Sequence, residues 1–119
     1  MLSAWVAAWN APDLERILAH YSEDVELVSP VAVQLLGVAD GTVRAMSALR
    51  RYFARGLEAF PQLRFTLERV AWGVRSVVLV YANQRGTRTA EFMEFAPDRK
   101  VLRVVVIPRI CLRHRAALH

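Results

Sequence analysis

In the first half of the chain apolar residues recur at helical spacing, and in the second half they alternate with polar ones as strands do. Ala4 to Trp9 is an apolar, helix-prone run broken by Asn10-Ala11-Pro12-Asp13. Leu14, Ile17, Leu18 and Tyr21 then form one helical stripe, with Pro12 and Asp13 suited to its start. Val25 to Val28 alternates like a short strand and stops at Ser29-Pro30, and the stretch up to Gly41-Thr42 reads as a loop. A helix is predicted over 47–59, with Leu49, Tyr52, Phe53, Leu57 and Phe60 as its apolar stripe and Arg50, Arg51 and Arg55 on its solvated side. Pro61 ends it. Leu63, Phe65 and Leu67 open a period of two, followed by strands over 77–84, 89–96 and 101–107, with turns at Gly73, Gly86 and Pro97-Asp98. Helices first and closely spaced strands afterwards predict an α+β domain with a mainly antiparallel sheet. Trp72, Tyr81 and Phe95 are expected on one aromatic face of it.

A chain of 119 residues with 55% hydrophobic content is enough for one domain with its own core. The net charge of +5 invites a nucleic-acid reading, but its distribution changes the picture. Residues 1–98 hold ten basic and eleven acidic side chains, whereas 99–119 hold six basic and no acidic ones. The domain is near neutral and its end is basic. The single Cys111 excludes an internal disulfide. The opening Met-Leu-Ser-Ala-Trp is unlike a signal peptide, and no apolar run approaches the ~20 residues of a membrane span. A cytoplasmic protein without membrane contact is expected.

Several local strings resemble one family. Trp5 to Asn10 followed by Pro12-Asp13-Leu14, His20 to Glu26, Ser29-Pro30, Gly41, Tyr52-Phe53, Gly56-Leu57, Pro61 and Ser76 to Leu79 are similar to nuclear transport factor 2-like proteins. The closest branch is the SnoaL-like group, named for polyketide cyclases, and the resemblance runs from Trp5 to Val106. It implies a cone, with N-terminal helices packed in a strongly curved sheet, an apolar pocket at one end and homodimers formed through the outer sheet face. The expected division is a cone domain over 1–107 and an atypical basic tail over 108–119, because Ile107-Pro108 stands where the branch finishes its last strand with His-Tyr. Ala45 stands where the branch usually carries glycine.

The fold hosts isomerases, cyclases, dehydratases, epoxide hydrolases and purely binding proteins, so it does not choose an activity. Carried over from ketosteroid isomerases, the general base falls on Ser29, the oxyanion-hole tyrosine near Trp5 and the protonated carboxylic acid near Glu91. Serine cannot take a carbon-bound proton as a carboxylate does. Glu91 and His20 remain the candidate acid–base groups, and Trp5, Tyr21, Ser29, Phe53, Tyr81 and Met93 the candidate ligand contacts. The competing readings turn Glu91 outward to solvent or Arg88 and leave His20 as a helix-end residue. Glu94 has the opposite strand parity to Glu91, so at most one of them faces a pocket. Cys111 and His114 lack a second ligand cluster, so no metal is expected, and no cofactor motif is present. These residues point to a small-molecule-binding domain with an apolar pocket, expected to form a homodimer. The alternative is an isomerase-, cyclase- or hydrolase-type enzyme using Glu91 on a small hydrophobic or cyclic substrate. Nucleic-acid association through the tail ranks below both.

Overall fold

The computed structural model describes residues 2–110. Four helices and six strands follow in the order α1 (Leu2–Asn10), α2 (Leu14–Leu18), β1 (Tyr21–Val28), α3 (Pro30–Leu36), β2 (Thr42–Arg44), α4 (Met46–Ala59), β3 (Thr66–Trp72), β4 (Ser76–Ala82), β5 (Arg88–Phe95) and β6 (Val101–Ile107). The strands form one curved, open sheet ordered β2-β1-β6-β5-β4-β3, in which only β1 and β6 run parallel. The fold is α+β with N-terminal helices on a mainly antiparallel sheet, as the pattern predicts, and the sheet is curved, as the resemblance implies. No helix among the described residues is long and apolar enough to cross a membrane.

Strand register decides which side chains reach the core. On β4 and β5 the pairs Val77–Met93, Leu79–Glu91 and Tyr81–Thr89 face inward, and all six residues are buried. Val78 and Val80 take the opposite face with Phe92 and Ala90. Glu94 lies on that outer face and meets Arg103, which also reaches Glu26 beside Arg44. The core proper holds Trp5, Ile17, Val25, Leu49, Leu79 and Val104, each contributing about 2–3 kcal/mol through burial.

Four expectations are corrected. Residues 30–36 are helix α3 instead of loop: Ser29 caps it by accepting from the Val31 amide at 3.2 Å, Pro30 occupies its first turn, and Gly37 closes it with φ of 70°. Tyr21 begins β1 instead of ending α2, because the Val101 amide donates to His20 carbonyl and pulls Tyr21 into register with Val101. The strand expected from Leu63 starts only at Thr66, because the amide and carbonyl of Phe65 are both bound by the Asn10 side chain, at 2.7 and 2.9 Å. Trp72, Tyr81 and Phe95 do not form one cluster. Trp72 stacks on Phe95 at 6.3 Å, while Tyr81 lies at the other end of β4 against Phe65 and Trp5.

Candidate functional site

Between α1, α4 and the inner face of the sheet lies a cavity of about 400 Å³. Its walls are rich in aromatic side chains. Trp5 stacks on Phe65 at 5.9 Å, Phe65 meets Tyr81 at 4.3 Å, and Trp9 and Tyr21 pack edge-on against Phe53 at 4.8 and 5.3 Å. The β4–β5 turn, Asn83 to Thr87, borders it on the exposed side, with Asn83 Oδ1 accepting from the amides of Arg85 and Thr87. Arg109 also lies on this rim.

The polar groups inside are few. Trp5 Nε1 donates to Tyr21 Oη at 2.9 Å. Tyr81 Oη donates to Glu91 Oε1 at 3.2 Å, and Glu91 Oε2 has no partner among the described residues. Glu91 is 6% exposed. Burial pushes its carboxyl up to about 7, with the Tyr81 hydrogen bond opposing the shift. Burial also raises the hydroxyls of Tyr21 and Tyr81, and the Glu91 charge adds to both shifts. Tyr52 is raised by burial against the opposing effect of the Ser29 hydroxyl. A buried carboxyl close to pH 7 in a cavity rich in aromatic side chains is able to hold or release a proton, or to anchor a polar atom of a bound molecule.

Six of the eight candidate residues line this cavity: Glu91, Trp5, Tyr21, Ser29, Phe53 and Tyr81. Two do not. Met93 is fully buried on β5, one inward position beyond Glu91, where it pairs with Val77 in the core. His20 follows α2 near Lys100 and Arg16, and burial together with those positive charges lowers its pKa. Neither its site nor its charge environment joins it to Glu91. Ser29 is turned to capping α3, and the Trp5 N–H is already used by Tyr21. Trp9, Tyr52 and Phe65, none of them a candidate from the sequence, also line the cavity. For Trp9 and Tyr52 the available signal was their place beside Trp5 and Phe53 in the strings that carry the resemblance. Among the described residues, no group of three or more His, Cys, Asp or Glu side chains is arranged to hold a metal. The Cys111–His114 spacing lies outside the described residues.

The sequence profile of the SnoaL-like domain matches residues 2–114. The chain belongs to the SnoaL-like family. A SnoaL-like protein of unknown function from Burkholderia thailandensis is 34% identical to it over 89% of this chain and 88% of that one, with a TM-score of 0.83. TerC, crystallised with polyporic acid, is 21% identical over 90% and 87% of the two chains, with a TM-score of 0.74. A loop-truncation variant of IdmH is 15% identical over 90% and 88%, also with a TM-score of 0.74. The last two likenesses concern the fold alone. No curated protein matches the sequence significantly.

Proposed function

We propose that this SnoaL-like domain binds a small, mainly apolar cyclic molecule in the aromatic cavity, with Glu91 as its polar anchor. The observation that carries this reading is the buried Glu91 carboxyl, which among the described residues has one oxygen without a partner and no cation beside it, in a cavity rich in aromatic side chains. Burying such a group stabilises nothing by itself. The cavity volume is in the range that small ligands occupy. Titration with 2-naphthol, followed by quenching of tryptophan fluorescence, tests it. Saturable binding at pH 8, weakened about tenfold in Glu91→Leu, is the expected result, since an ionised carboxylate accepts from the naphthol hydroxyl. No saturable binding, or equal binding by the two proteins, contradicts it.

A second reading, acid–base catalysis by Glu91 on the bound molecule, is favoured by the carboxyl lying near pH 7. The chemistry would be of the isomerase, cyclase or hydrolase type, with Glu91 acting alone as the carboxyl group of the cavity. A homodimer through the outer sheet face accompanies both readings. It is supported by the exposed Val78 and Ile107 and by the neighbouring Val80 and Phe92 on that face.

A further inference from the structure

We infer that the ligand of this cavity carries a neutral hydrogen-bond-accepting oxygen of the carbonyl type, and that the Trp9 indole N–H binds it. The inference rests on the ligand-binding reading above and adds a residue and a chemical class to it. Trp9 is 8% exposed and lines the cavity, and its Nε1 has no hydrogen-bond partner among the described residues. An indole N–H only donates, so an acceptor is what it lacks. Its ring packs against Phe53 at 4.8 Å and Phe65 at 5.4 Å, and the indole nitrogen is buried. Trp5, one helical turn away, is the internal contrast: its N–H is satisfied by Tyr21 at 2.9 Å. The Trp9 N–H dipole also bears on that Tyr21 oxygen, but without hydrogen-bond geometry. A neutral acceptor fits better than an anion. An anion would face the Glu91 carboxyl, and the cations lining the cavity, Arg85 and Arg109, are on exposed positions of its rim.

The test compares 1-tetralone with tetralin, which differ by the carbonyl oxygen. The full chain, labelled with ¹⁵N-tryptophan, is titrated with each, and the Trp9 indole signal is assigned by its loss in Trp9→Phe. The expected result is about tenfold tighter binding of 1-tetralone, a downfield shift of the Trp9 N–H with 1-tetralone alone, and equal affinities in Trp9→Phe. If Trp9→Phe fails to fold, the Trp9 indole signal is assigned by its through-space contacts to Phe53 and Phe65, and its shift in the parent chain decides. Equal binding of both compounds with an unmoved Trp9 signal overturns the role of Trp9 and leaves the cavity reading standing. Binding of neither compound overturns the cavity reading and this inference together.

Discussion

At the scale of single residues, Glu91 links the cavity to pH. Its carboxyl is raised from 4.5 to about 7, so between those values the folded chain retains a proton that the unfolded chain has released. The stability associated with that proton is full below about pH 4.5 and is lost as pH rises to about 7, a loss of about 3 kcal/mol. Glu91→Gln is neutral at every pH. It is expected to raise the denaturation midpoint relative to the parent at pH 8 and much less at pH 4.5, and equal effects at both would contradict the burial. Ala45 is the other singular residue. It begins α4 with φ of 74° and ψ of 156°, a region essentially reserved for glycine. It is held there by its amide on Val25 carbonyl at 2.8 Å and its carbonyl under the Leu49 amide at 3.0 Å. Ala45→Gly is expected to stabilise the fold by about 1 kcal/mol in denaturant unfolding, despite the extra freedom glycine brings to the unfolded chain. The departure at Ala45 was legible in the sequence as a missing glycine, but its consequence needed the backbone angles. Likewise the opposite parity of Glu91 and Glu94 was legible, whereas the unpaired Trp9 N–H depends on a tertiary neighbourhood that no spacing reveals.

At the scale of elements, the period change after Pro61 located α4 and the four strands that follow, because amphipathic spacing is a local property. The errors fell where distant partners set the boundaries. Asn10 ends α1 and holds both backbone groups of Phe65, so the fifty-five-residue separation between them was invisible to any window. That clamp also fixes the Phe65 wall of the cavity against Trp5 and Trp9. Asn10→Ala is expected to cost about 2 kcal/mol, since it strands a partly buried amide and carbonyl. It should also weaken 2-naphthol binding; unchanged stability would show that the clamp contributes nothing. Helix α3 is a different case. Its signals, Ser29, Pro30 and Gly37, stood in the sequence, but it is only seven residues long and its apolar residues lack a clear stripe. Gly41 shows how tightly this region is set: at φ of 69°, an added Cβ would lie 2.8 Å from the Ser29 carbonyl oxygen.

At the scale of the whole molecule, the charge distribution and the sheet agree. The near-neutral body carries an apolar outer face across β4, β5 and β6, bordered by the Arg44–Glu26–Arg103–Glu94 ion pairs. Such a border favours register between two copies more than it adds affinity. If that face pairs, Val78→Glu is expected to convert a dimer to a folded monomer in sedimentation equilibrium; a monomeric parent chain would refute the pairing. The basic excess of residues 99–119 begins on β6 and its approach, where Arg103 is committed to Glu26 and Glu94 and Lys100 Nζ donates to Ala19 carbonyl. Part of the charge that first suggested nucleic acid is therefore engaged in holding the sheet.

Every role proposed for the cavity requires the Glu91 carboxyl to be enclosed in it instead of facing solvent. The most direct test is a ¹³C NMR titration of the Glu91 side-chain carboxyl in the full chain, assigned by comparison with Glu91→Gln. A midpoint near pH 7 is the expected result. A midpoint near 4.5, the ordinary value for glutamate, would place Glu91 in water and contradict the account.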